Sequence, residues 1–152
     1  MRVQVTFTCS LKACGSVGAI GKGTEIHGDI VRSGLMMKNV VLGNAVVDMY
    51  LKCGCLCEAC KLFDSMECRD VVSWSAMISG CSQHECGSYT IHLFYEMQKE
   101  GLELNTILLS CVLKVCANMQ NIHHGRLIHK DIIARNLELD VSIEETLIYM
   151  YV

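Results

Sequence analysis

The chain has 152 residues, and 51% of them are hydrophobic, which is ample for a core. With 13 Lys and Arg against 16 Asp and Glu the net charge is −3, where a nucleic-acid binder more often carries a basic excess. The longest apolar region, around residues 40–51, is interrupted by Asn44 and Asp48 and is too short to span a bilayer, so a membrane is not an expected partner.

The opening MRVQVTFTCS has one Arg and no amphipathic Arg- and Ser-rich leader, so no transit or signal peptide is expected in it. It runs directly into an apolar stripe of Phe7, Leu11 and Cys14, and a second stripe follows at Gly23, Ile26, His27 and Ile30. The two stripes then recur. The first returns as Gly43, Val46, Val47 and Tyr50, as Trp74, Met77, Ile78 and Cys81, and as Leu109, Val112, Leu113 and Cys116. The second returns as Ala59, Leu62, Phe63 and Met66, as Thr90, Leu93, Phe94 and Met97, and as Gly125, Ile128, His129 and Ile132. Spacing of i, i+3, i+4, i+7 is the signature of amphipathic helices. A break such as residues 83–88, with Gly87 and Ser88 leading into the next run, makes each pair a helical hairpin. A fifth start appears at Glu144, Leu147, Ile148 and Tyr151. From Phe7 to Gly43, Trp74 and Leu109 the steps are 36, 31 and 35 residues. A period in this range predicts an all-α solenoid of stacked hairpins in one array without linkers.

Direct self-similarity supports the repeat. LKACGSVGAIGKGTEIHGDI (11–30) aligns without a gap to LKVCANMQNIHHGRLIHKDI (113–132), and His27 and His129 fall at equivalent places beside Ile26 and Ile128. A structural role is expected for both. Eleven cysteines, an odd number, argue against a regular disulfide framework and for a reducing compartment. Most are expected at core positions like those of Cys14, Cys81 and Cys116, where a thiol acts as a small hydrophobe. The run Cys53, Cys55, Cys57 and Cys60 could hold zinc through four thiolates, but it straddles a helix end and the next helix start, and no second pair stands at zinc-ribbon spacing. No metal or cofactor is expected. His84, His123 and His124 sit at turns without a neighbouring nucleophile or carboxylate in a catalytic pattern.

GNAVVDMYLKCG, EACKLFDSM, RDVVSWSAMISGCSQ, LFYEMQKEGLELN and LKACGSVGAIGKGTEIHG together resemble the pentatricopeptide repeats of plants, in the type that alternates long, short and standard motifs. The resemblance covers essentially the whole chain. It divides it into a long repeat at 4–39, a short one at 40–70, a standard one at 71–105, a second long one at 106–140 and the start of another short one at 141–152. It also implies a right-handed superhelical fold. The chain departs from the pattern in having no proline, so that Glu103, Leu104 and Asn105 stand where a Lys-Pro-Asp-like turn is common, and in Cys9, Cys57, Cys81 and Glu145.

The resemblance implies sequence-specific binding of single-stranded RNA, with the fifth and last residues of each motif selecting a base and an aliphatic second residue packing against it. Carried over, the base-reading pairs are Asn44 with Asp70, Ser75 with Asn105, Ser110 with Asp140, and Thr8 with Asn39, and the packing residues are Val41, Val72 and Ile107. The family's rules read these pairs as U, A, G and A, an implied strand of 5'-AUAG-3'. Locally, Asn44 and Ser75 also read as helix-start polar residues, and Asp70 and Asn105 as turn residues. Positive charge is spread along the array at Lys12, Arg32, Lys52, Arg69, Lys114 and Arg126, with Lys52 ending a first helix next to the expected concave side. The implied setting is processing, modification or C-to-U editing of RNA in a mitochondrion or chloroplast, with other RNA-editing or processing proteins as further partners. Some relatives of this type carry a zinc-dependent deaminase domain, which needs His-x-Glu and Pro-Cys-x-x-Cys elements; neither is present, so no enzymatic activity is expected of these residues. A helical-repeat protein-interaction scaffold, or a nonfunctional truncated copy, is the alternative.

Overall fold

The computed structural model describes residues 2–137 and 140–152, apart from the side chain of Met37. Among the described residues the regular elements are α-helices and one 3-10 turn, Met36–Lys38, as the all-α expectation requires. They form two compact units, 1–80 and 81–152.

The first unit holds α1 (Arg2–Val17), α2 (Ile20–Arg32), α3 (Val40–Lys52), α4 (Leu56–Ser65) and most of α5 (Val71–Gln83). Helix α1 packs against both α2 and α3, and α3 against α4, so first helices lie side by side and each second helix folds back on its own first. The core between them is the repeating stripe: Leu11, Cys14, Ile26, Ile30, Val46, Val47, Ala59, Phe63, Trp74, Met77 and Ile78 are all buried. Phe63 meets Trp74 edge-on at a centroid distance of 4.9 Å, and the Arg69 guanidinium lies 4.7 Å from the Phe63 ring, so α4 is tied to α5 through aromatic contact.

The second unit holds the last turn of α5 with α6 (Gly87–Lys99), α7 (Thr106–Asn118), α8 (Ile122–Ala134) and α9 (Val141–Tyr151). Here α7 packs against α6, α8 and α9. Thr90, Leu93, Phe94, Met97, Leu109, Val112, Leu113, Cys116, Ile128 and Ile132 fill the core.

The first helices close in one way. The amide after the turn residue bonds to the carbonyl five residues earlier in four places, Ala19 to Cys14 (2.9 Å), Cys55 to Tyr50 (2.9 Å), Cys86 to Cys81 (3.0 Å) and Asn121 to Cys116 (2.9 Å). This closure needs a left-handed residue. Gly18 and Gly54 supply it at φ 69° and 79°, while Glu85 and Gln120 adopt it at φ 58° and 53°.

The two equivalent histidines have equivalent partners. His27 Nδ1 bonds to Tyr50 Oη at 2.8 Å and His129 Nδ1 to Tyr151 Oη at 2.9 Å, each linking the second helix of one hairpin to the first helix of the next. Their structural role is therefore to staple successive hairpins. Burial pushes His27 below its usual value, and burial likewise raises Tyr50.

The cysteines need a correction. Only Cys14, Cys81 and Cys116 are buried; Cys9, Cys57 and Cys68 are exposed and the other five are half-buried. The reason is position. Cys53 and Cys55 fall at the turn between α3 and α4, and α4 is too short to bury more than its Ala59 and Phe63 stripe. Among the described residues no three His, Cys, Asp or Glu side chains converge as a metal site, and no helix is long and apolar enough to cross a membrane.

Candidate nucleic-acid interface

The residues expected at the last position of each repeat stand immediately before a first helix and cap it. Asn39 accepts from the amides of Val41 (3.0 Å) and Leu42 (3.2 Å), Asn105 from Leu108 (2.8 Å), and Asp140 from Ile143 (2.9 Å). Asp70 accepts from the Ser73 amide at 2.9 Å while its own amide donates to Ser73 Oγ at 3.1 Å, a reciprocal capping box. The capping role thus belongs to these residues, and Asn44 and Ser75 lie a turn further in, at the fifth helical position, rather than at the helix starts.

At the second repeat the expected pair is in direct contact. Asn44 Nδ2 donates to Asp70 Oδ1 at 3.1 Å, and Ser73 Oγ lies 2.6 Å from Asn44 Oδ1 and 2.9 Å from Asp70 Oδ1. Burial pushes the Asp70 carboxyl up, but the bonds from the Ser73 amide, the Ser73 hydroxyl and Asn44 outweigh it and hold the group below its usual range. The carboxylate is charged at neutral pH.

The other pairs differ. Thr8 and Asn39 share a cleft of about 280 Å³ with Val5 and Val41 on its walls, but Thr8 Oγ1 donates to Gln4 O (2.9 Å) rather than to Asn39. Ser110 Oγ bonds to Ser142 Oγ at 3.1 Å and not to Asp140 among the described contacts. Ser75 belongs to the first unit and Asn105 to the second; the Ser75 hydroxyl is buried and has no partner among the described residues.

The second position of α3, α5 and α7 carries an aliphatic side chain that folding leaves in water. Val41 and Val72 are each 61% exposed and Ile107 72%. Val5, at 63%, holds the same position in the first repeat and was not among the expected packing residues, although the residue count from Gln4 points to it. Ser142 interrupts the series in the fifth. Exposed β-branched residues recurring at one register position contribute little to a core. Ser73 is the other residue missed. Its bond to Asn44 has no local mark, because that partner is 29 residues away, whereas the Asp70-x-x-Ser73 spacing of the capping box was there to be read.

Of the basic residues, Lys12 and Lys114 are exposed and lie one helical turn beyond Thr8 and Ser110, on the same helix faces. Lys52 is paired with Asp48 at 2.8 Å, Arg32 with Asp29, and Arg69 is stacked on Phe63.

Comparison with known proteins places this geometry. The family described as PPR repeat matches residues 44–71 and 72–102. A chloroplastic pentatricopeptide repeat-containing protein of Arabidopsis thaliana is 40% identical over 148 residues, 97% of this chain and 24% of that protein. A second from the same plant, named DOT4 and also chloroplastic, is 41% identical over 120 residues, 79% of this chain and 14% of its own length. The chain thus spans about a quarter or less of the curated relatives it matches. The crystal structure of the pentatricopeptide repeat protein PPR10 from maize superposes with a TM-score of 0.83 at 22% identity, over 97% of this chain and 22% of that one. The same maize protein solved with an 18-nucleotide psaJ RNA element gives a TM-score of 0.75. The fold is therefore that of an α-solenoid of helical hairpins, and the chain belongs to the pentatricopeptide repeat proteins.

Proposed function

We propose that the chain binds single-stranded RNA with sequence preference, one base per repeat, as part of a factor for RNA processing, modification or C-to-U editing in a mitochondrion or chloroplast. The observation that carries this is the recurring group of an exposed aliphatic second residue beside a polar fifth residue and a polar cap: Val41 with Asn44 and Asp70, and Val5 with Thr8 and Asn39 around one cleft. Aliphatic walls hold a base by its faces, and a side-chain amide or carboxylate reads its edge. Lys12 and Lys114 are exposed one helical turn beyond Thr8 and Ser110, and on this reading they would meet backbone phosphates. The RNA bound by the structurally similar maize protein supports the same reading, and the chloroplastic names of the relatives support the setting. The alternation of long, short and standard repeats at 4–39, 40–70, 71–105, 106–140 and 141–152 belongs to this proposal, as do the assignments of U to Asn44 and Asp70, A to Ser75 and Asn105, G to Ser110 and Asp140, and A to Thr8 and Asn39.

Affinity should be low. Stacking and hydrogen bonding give about 1–3 kcal/mol per base, so four bases give roughly 4–12, against an association cost of about 4–15 kcal/mol. The test is a fluorescence-anisotropy titration of the reduced chain against RNA containing AUAG and against the control with UA replaced by GC, at two salt concentrations. Preference for AUAG that persists at the higher salt is expected. Equal binding to both, or binding abolished equally by salt, would overturn base reading.

A further inference from the structure

We propose that Ser73 is a positioning residue for base recognition at the second repeat, its hydroxyl fixing the Asn44 amide so that one N–H and one carbonyl lone pair face a uracil. The role rests on the base-reading function proposed above. Ser73 is an anomaly of the fold. It occupies the third position of its first helix and is 1% exposed, where Leu42, Leu108 and Ile143 hold the corresponding core positions in other repeats. A buried hydroxyl among such residues costs free energy unless it is bonded. It is bonded on every side: it accepts from the Asp70 amide at 3.1 Å and lies 2.6 Å from Asn44 Oδ1 and 2.9 Å from Asp70 Oδ1.

One hydroxyl has one proton. The shorter contact, to Asn44 Oδ1, is the better bond, and Asp70 Oδ1 already receives the Ser73 amide and the Asn44 amide. The carboxylate draws the nitrogen end of the Asn44 amide and the hydroxyl draws its oxygen end, so the two partners together select one of the two amide orientations. What remains on Asn44 is one N–H and one lone pair, both without partners among the described residues. A uracil edge sets carbonyl acceptors beside an N–H donor, and a cytosine edge replaces one carbonyl by an amino donor and the N–H by an acceptor. A fixed amide distinguishes the two; an amide free to turn over serves both. In the repeats with leucine or isoleucine at the third position no hydroxyl is present to do this.

The experiment compares the chain with its Ser73→Ala and Ser73→Thr variants, titrating each with RNA containing AUAG and with the same RNA carrying ACAG. The parent is expected to prefer U. Ser73→Ala should lose roughly fivefold of that preference, the worth of one net hydrogen bond, while Ser73→Thr, which retains the hydroxyl, restores it. A general loss of structure would weaken both RNAs alike, and melting by circular dichroism identifies it. A parent preference left intact in Ser73→Ala overturns the positioning role alone; a parent without preference overturns the base-reading function, and the role with it. Should Ser73→Ala not fold, the side-chain amide of Asn44 in the parent decides by NMR: shifted resonances with slow exchange are expected, and random-coil shifts with solvent-rate exchange would overturn the proposal.

Discussion

Phe63→Ala probes the contact that holds α4 to α5. The Phe63 side chain is fully buried, meets Trp74 edge-on at 4.9 Å, and carries the Arg69 guanidinium 4.7 Å from its ring. Deleting the ring removes its transfer free energy and leaves a cavity, a cost of about 3–5 kcal/mol. The aromatic pair accounts for about 0.5–1.5 kcal/mol of this, and the stacked Arg69 for about 0.5–1 kcal/mol, because it is half-exposed. Total stability for such a chain is about 5–15 kcal/mol, so a large share is at stake. With a urea slope of about 2 kcal/mol per molar, the midpoint should fall by about 2 M. Trp74 is the only tryptophan, so its fluorescence in a urea titration reports on this contact. Phe63→Leu keeps apolar volume and loses only the ring geometry, and should cost about 1–1.5 kcal/mol. A Phe63→Ala midpoint within about 0.5 M of the parent, roughly 1 kcal/mol, would refute the packing argument.

Three further outcomes are expected. Burial lowers His27 in the folded chain below its unfolded value of about 6.5, so its contribution is complete above about pH 6.5 and is lost as the pH falls through the lower folded value. Melting temperature should therefore drop as the pH falls below about 6.5, and His27→Gln should flatten that drop; an unchanged profile would refute it. Asp70, also lowered, has the same sign at a lower pH: its contribution is present above about pH 3.9 and is lost below it. In alkylation near pH 8, Cys9, Cys57 and Cys68 should react in the native state, whereas Cys14, Cys81 and Cys116 should wait for unfolding. Cys116 is the strictest case, because burial pushes its thiol up to about 11. Rapid labelling of Cys116, read by mass spectrometry, would show that α7 opens locally.

The helices and their cores were legible because each stripe obeys the helical period and recurs, so that errors in one copy are corrected by the others. Trp74, Met77, Ile78 and Cys81 lie in the core where the spacing puts them, and so do their counterparts at Leu109, Val112, Leu113 and Cys116. The equivalence of His27 and His129 was legible too, but their bonds to Tyr50 and Tyr151 were not, since those partners are 23 and 22 residues away. The turns at Glu85 and Gln120 escaped for a different reason. Both adopt a left-handed conformation that glycine usually marks, and here the closing hydrogen bonds impose it on residues that do not announce it. Ser73 was hidden because its position stands just outside the stripe of Trp74, Met77, Ile78 and Cys81, although folding buries it, and the periodic pattern says nothing of what a polar group does there.

The cap positions show why recognition and folding are hard to separate in this chain. Asn39, Asp70, Asn105 and Asp140 each supply a side-chain oxygen to an amide in the first turn of a helix that carries core residues. Only a short side chain with an accepting oxygen can do this, which confines the position to Asn, Asp, Ser and Thr, or to a weaker glycine. On the proposed reading the same atoms face the edge of a base, so the set of side chains available for choosing a base is limited first by the helix they start. Exchange among Asn, Asp and Ser is then nearly free of folding cost, and exchange outside the set is not. Asn105→Asp should leave stability within about 0.5 kcal/mol of the parent while Asn105→Ala costs about 1 kcal/mol, both read from thermal melts, with the Asp variant changing only which RNA is preferred. If the alanine variant melts with the parent, the Asn105 to Leu108 bond contributes nothing and base selection at this position is free of the helix; if the aspartate variant melts lower as well, the position is constrained by more than its cap.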